Sequence, residues 1–212
     1  MSRIERLVLR RISVCRVGFT LVEVLVAAGV FLLILGALVS TFYQSTAVMM
    51  KGTSQSSMQR DALAFGKRLS NAIEYGTAGS LSVAADESGM SLLISDDANG
   101  RFRYDPASST ALWSNYDVIY FDSVSHEVRS REVSVVGFSE EATPGPIESF
   151  DAGDPIETYF SGGQPVLRDV QSASFKEPLP GLVRVDIELA RDDSRKDGAE
   201  TYNFSLVRNF RN

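Results

Sequence analysis

The sequence predicts an α+β protein: a long N-terminal helix, membrane-spanning in its first half and amphipathic in its second, packed on an antiparallel β-sheet domain. Three observations predict it. Between Phe19 and Tyr43 the chain is almost wholly apolar, with Glu23 as the one charged side chain. No proline occurs before Pro106, so nothing in the preceding sequence forces a helix to break. Beyond Gly76 the apolar residues change to a period of two, the mark of strands with one buried face.

The 212 residues suit one compact domain plus an anchor. The net charge of -6 is unevenly spread. Residues 1–18 carry Arg3, Arg6, Arg10, Arg11 and Arg16 against Glu5, so this leader is basic and the remainder is more acidic than the whole. A basic segment ahead of a spanning helix stays on the cytoplasmic side. The acidic domain is then expected on the far side of the membrane, and its charge argues against a nucleic-acid partner. The expected division is a leader at 1–18, a spanning helix at 19–43, an amphipathic helix at 44–76 and a β domain at 77–212.

Phe19 to about Tyr75 reads as one helix, roughly 85 Å long at about 1.5 Å per residue, with Gly76 as its stop. In its second half Met58, Ala62, Phe65, Leu69, Ala72 and Ile73 recur at spacings of three and four, a stripe that should face a packed domain. Lys51, Arg60, Lys67 and Arg68 lie mostly off that stripe and read as solvated. Gly29 and Gly36 permit close helix approach in a membrane, or are simply tolerated there. Gly52 to Ser57 is poor in helix formers and reads as a bend or softened joint.

Past the helix, Ser91–Ser95 reads as a strand, Asn99-Gly100 as a hairpin turn, and Arg101–Tyr104 as its return strand. Ala111–Trp113, Asp117–Phe121 and Val128–Phe138 are further strand candidates. Residues 139–165 hold four of the seven prolines and six acidic side chains with no basic one, and read as a long solvated loop. Val183, Val185, Ile187 and Leu189 share one face of a strand, and Tyr202, Phe204 and Leu206 alternate after the charged stretch from Arg191 to Glu200. Together these predict a C-terminal hairpin.

The residues that carry chemistry are few. Cys15 is the only cysteine and His126 the only histidine. A catalytic cysteine beyond the leader is excluded, and His126, in Ser125-His126-Glu127, reads as an exposed turn residue. Tyr104, Trp113, Tyr120 and Phe121 fall at strand spacing and read as core. Asp151 and Asp154 are the only metal candidates, for calcium, and they lack the ligand spacing of a helix-loop-helix calcium site. No enzyme activity and no resident cofactor are expected.

The leader junction admits several readings. A lipoprotein signal at Cys15 is disfavoured by the bulky Val14 before it. An ordinary secretory signal has an apolar core of about 7–15 residues, shorter than the run here. An uncleaved signal anchor would leave the Gly18-Phe19 junction and Glu23 without a role. A carboxylate inside a membrane segment costs roughly 2.5–3.5 kcal/mol by insertion scales, so Glu23 calls for a partner.

Gly18-Phe19-Thr20-Leu21-Val22-Glu23, between a basic leader and an apolar helix, resembles the N-terminal signature of type IV prepilins and type II secretion pseudopilins. The resemblance implies cleavage after Gly18 by a prepilin peptidase, N-methylation of Phe19, and pairing of Glu23 with the N-terminal amine of a neighbouring subunit. It further implies an inner-membrane assembly platform and other pilin subunits as partners, with the protein leaving the membrane for a pilus or pseudopilus. In size and pattern the chain is similar to the J-type minor pseudopilins and W-type minor pilins, which prime assembly in a tip complex. The alternative is an adhesin-like or DNA-uptake minor pilin whose β domain binds an external ligand.

Overall fold

In the computed structural model the described residues are 18–95, 102–136, 139–150, 153–191 and 199–210. One helix, α1 (Leu21–Tyr75), is followed by eight antiparallel strands in two sheets. The first sheet has the order β1-β2-β3-β4-β5, formed by Ser82–Val83, Gly89–Ile94, Asn115–Asp122, Glu127–Val133 and Gln164–Leu167. The second has the order β6-β7-β8, formed by Val170–Leu179, Leu182–Arg191 and Glu200–Asn209. The α+β class expected from the sequence is therefore observed. The chain divides into two compact units, residues 1–50 and 51–212.

In the first unit, the described part of α1 buries none of its residues. In the second unit, Met58, Ala62, Phe65, Leu69 and Ile73 are buried, as the stripe of threes and fours predicts. They pack into a core shared with both sheets: Met90, Leu92, Ile94, Ile119 and Val128 from the first, Phe175, Val183, Val185, Ile187 and Leu189 from the second. Gly66 belongs to the same face because a Cβ there would lie 2.7 Å from the ring of Phe204.

A second core lies on the other face of the five-stranded sheet. Leu93, Tyr116, Val118 and Tyr120 meet Ile147, Ile156 and Tyr159, which are buried. This corrects the solvated-loop reading of 139–165. Two short 3-10 turns, Ile147–Ser149 and Ile156–Tyr159, insert these apolar residues against the sheet. The phenol of Tyr116 donates to Gly145 O at 2.7 Å and that of Tyr120 to Gly162 O at 2.5 Å. Tyr120 stacks on Phe160 with ring centroids 5.0 Å apart. The acidic side chains that suggested solvation alternate with these anchors. β2 is consequently buried at every position, although its sequence is only partly apolar.

Several local expectations change. Gly52–Ser57 is helical without interruption; the Ser57 hydroxyl donates to Ser54 O at 2.8 Å, which keeps a polar stretch in register. Helix α1 stops before Gly76 as expected, but by a different cause. Gly76 bridges Ile94, and a Cβ there would meet Leu92 Cδ1 at 2.8 Å and Ala72 O at 3.0 Å. Arg68 is not merely solvated: its Nη2 donates to Ser130 Oγ at 2.8 Å, and Ser130 donates to the buried Asp117 at 2.7 Å. Around Tyr104 and Ala111 there is an isolated bridge rather than strands, and Tyr104 is exposed. Asn99-Gly100 and Arg101 lie outside the described residues, as do the far end of the Val128–Phe138 candidate and most of the charged stretch after Arg191.

The C-terminal hairpin is β7-β8, with its apolar faces as expected, and β6 adds a third strand the sequence reading missed. Strand β6 alternates weakly: Val170 and Phe175 are buried, and only Gln171, Ser172, Ala173 and Ser174 lie between them. It is held instead by Glu87, whose carboxylate meets Lys176 Nζ at 2.9 Å and accepts from Ser174 Oγ at 2.8 Å. These two bonds hold the Glu87 carboxyl below its usual pKa, the Lys176 bond most of all.

Truncation on the two sides of α1 tests the stripe. Leu69→Ala should lower stability by about 2–5 kcal/mol through loss of transfer energy and a cavity. Leu63→Ala, on the exposed side, should change it by less than about 0.5 kcal/mol. Urea unfolding of the two variants in detergent, followed by near-ultraviolet circular dichroism, measures the difference.

Candidate functional site

The residues singled out near the N-terminus lie at the start of α1. Thr20 precedes the first residue of α1, and Glu23 sits in its first turn. The backbone N–H of Thr20 donates to Glu23 Oε2 at 2.9 Å, and the Thr20 hydroxyl donates to the same oxygen at 2.9 Å. In return the N–H of Glu23 points at Thr20 Oγ1, at 3.3 Å. Val24 N–H donates to Thr20 O at 3.2 Å, closing the first helical turn.

This is a reciprocal capping box, which satisfies backbone donors that a helix start otherwise leaves unpaired. The signal for it in the sequence is Thr-x-x-Glu at 20–23, a pattern of spacing rather than of charge. A neutral donor answers part of the question before any cation does. Oxygen Oε2 takes both Thr20 bonds, and among the described residues Oε1 takes none.

The helix that follows is suited to an apolar surround. Its mean hydropathy reaches 2.7, and it is long and apolar enough to cross a membrane. Phe31, Leu32, Leu33, Ile34 and Leu38 are all exposed, in every direction around the axis. The hydroxyls it carries bond to the helix itself: Thr41 Oγ1 donates to Ala37 O and Thr46 Oγ1 to Phe42 O, each at 2.9 Å. No polar side chain of this pair then needs water. Gly29 and Gly36 have open space around them, as close helix approach requires.

Gly18 and Phe19 lie before the helix, both exposed, with nothing within 4 Å of a Cβ built at Gly18. The other candidates do not gather. Asp154 is exposed, and Asp151 lies outside the described residues. Among the described residues no group of three or more His, Cys, Asp or Glu side chains is placed to hold a metal. His126 sits in a left-handed turn at φ 55, exposed, with Nδ1 3.3 Å from Val170 O.

Comparison of the chain with protein-family models, with curated proteins and with solved structures finds no match in any of the three. The junction at Gly18-Phe19 and the capped, apolar start of α1 therefore stand on their own chemistry.

Replacing Thr20 by Ala removes one side of the box and should weaken the helix start by about 0.5–2 kcal/mol. Amide hydrogen exchange in micelles should then accelerate at Val22, Glu23 and Val24 but not beyond Leu32. Thr20→Ser should exchange at the native rate.

Proposed function

We propose that this chain is the precursor of a minor pilin or pseudopilin, a structural subunit that enters a filament from the inner membrane. One observation carries the reading. Gly18-Phe19-Thr20-Leu21-Val22-Glu23 stands between a basic leader and an exposed apolar helix, with its lone carboxylate folded into the first turn.

The chemistry follows from that arrangement. Hydrolysis of the Gly18–Phe19 amide by a prepilin peptidase leaves a carboxylate on the leader and an ammonium on Phe19. Glycine before the bond leaves room for close approach to the backbone. One methyl group added to the Phe19 nitrogen keeps it protonated and cationic. A neighbouring subunit's amine then meets Glu23 through Oε1, while Thr20 holds Oε2.

In an apolar surround the gain from such a pair is offset by desolvation, so its main use is register. A subunit stacked one step out of place leaves both charges unpaired, at a cost of several kcal/mol. The capping box fixes where the carboxylate points before assembly begins. Gly29 and Gly36 would allow the packed helices of the filament core to approach. The head from Lys51 onward is then the part that distinguishes this subunit from its neighbours. Its role would be mechanical, in a tip or assembly-priming complex of a type II secretion pseudopilus or type IV pilus.

Glu23→Gln separates charge from cap, because glutamine completes a capping box as well as glutamate does. The variant should insert and be cleaved normally, yet be recovered from sheared filaments at about a tenth of the native level or less, a loss of at least about 1.4 kcal/mol. Native recovery of Glu23→Gln would refute the pairing. Gly18→Val should accumulate as full-length precursor in the membrane fraction, read on an immunoblot.

A further inference from the structure

We propose that β8 is an interaction edge and that its occupant is the β8 strand of a second copy of this chain, paired antiparallel about Phe204. The inference is independent of the proposed function.

Sheet edges expose unpaired backbone donors and acceptors, and folded proteins blunt them. Of the four edges here, three are blunted. Strand β1 has two residues, and β5 has four, including Pro165. Strand β6 is long, but its register shifts twice against β7 and it carries Pro178. Its outer side is also engaged, since Phe175 N–H donates to Glu87 O at 2.9 Å. Strand β8 is different. It has ten residues, no proline, and an unbroken register of ten pairs with β7. Among the described residues its other side makes no backbone hydrogen bond.

Its sequence, Glu-Thr-Tyr-Asn-Phe-Ser-Leu-Val-Arg-Asn, is self-complementary about Phe204. Antiparallel pairing on that centre sets Glu200 opposite Arg208 of the second copy, and Arg208 opposite its Glu200. Tyr202 then meets Leu206, and Phe204 meets Phe204. On the other face Thr201 meets Val207 and Asn203 meets Ser205. A shift by two residues would keep the faces but break both ion pairs. Cross-strand pairs of this kind stabilise sheets, and a two-fold interface repeats each of them.

Two features of the single chain point the same way. Both carboxylate oxygens of Glu200 are shielded from solvent and, among the described residues, carry no hydrogen bond. A carboxylate in that condition is costly and calls for a donor. Arg208, exposed at the other end of the strand, makes one bond among the described residues, from Nε to Ser70 Oγ at 3.2 Å, which leaves its terminal nitrogens for a carboxylate. Tyr202, Phe204 and Leu206 are also only half-buried on their core. A strand added at the edge would cover what remains exposed.

The test uses the full chain in its membrane, with the single cysteine removed as Cys15→Ser. Two differently tagged forms, Thr201→Cys and Val207→Cys, are co-expressed and mildly oxidised. Opposed positions fall within disulfide reach, about 4.4–6.8 Å between Cα atoms. Like positions lie six residues apart along the strand, about 20 Å. A disulfide should therefore form between the two tags and not within either form expressed alone. Adding Glu200→Arg to both forms should lower its yield about tenfold by placing like charges opposite, and adding Arg208→Glu as well should restore it. Resistance of the head to trypsin verifies folding in each case. The proposal is overturned if folded protein gives no mixed disulfide, if like positions cross-link equally, if the double charge reversal fails to restore the yield, or if the only adduct is to a different protein.

Discussion

A carboxylate without a formal countercharge among the described residues, set at the head of a long apolar run, is the constraint on which the first part of α1 depends. Water solvates such a group cheaply, and a hydrocarbon surround does not. The chain meets the problem in part with its own atoms. Thr20 supplies an amide and a hydroxyl to one oxygen of Glu23, and the same contact begins the helix. Local and global requirements then coincide: the group that caps α1 is the one that must be oriented. What Thr20 cannot supply is charge. In the proposed function that comes from an amine created one residue before the cap, on another subunit.

The second unit rests on a different principle, a single helical stripe serving two sheets. Met58, Phe65, Leu69 and Ile73 belong to one continuous core with residues of both the five-stranded and the three-stranded sheet. Polar links keep the register of that contact. Arg68 reaches Ser130 and, through it, Asp117, while Arg191 joins Ser57 at 2.7 Å and Asp169. The outer face of the larger sheet is then closed by the segment that follows β4, so acidic character and burial occur within the same few residues.

The physics explains what could be read from sequence and what could not. The stripe on α1 was legible because a period near 3.6 allows one buried face. Strand β7 was legible because alternation survives where one face is buried, and β3 because it is a short continuous apolar run, Val118 to Phe121, of the kind that is buried on both faces. Strand β6 was not, since serines at 172 and 174 erase its alternation and a distant residue, Glu87, secures it. Ile147, Ile156 and Tyr159 are hidden in the same way: two isolated isoleucines and the Tyr159-Phe160 pair stand among prolines and carboxylates, with no period to announce them. At the candidate site, the reading of Gly18, Phe19 and Glu23 rests on their order in the sequence. Thr20 carries no charge to mark it as the partner of Glu23, and only its spacing from Glu23, a helix-start pattern, announces the contact.

The central claim is that the chain is cut between Gly18 and Phe19 to make the cation that Glu23 meets. The mass of the N-terminal peptide of protein recovered from its own membrane tests this most directly. The account predicts a chain beginning at Phe19 with one methyl group on its amine. A chain that retains residues 1–18, or begins at any other residue, would contradict it.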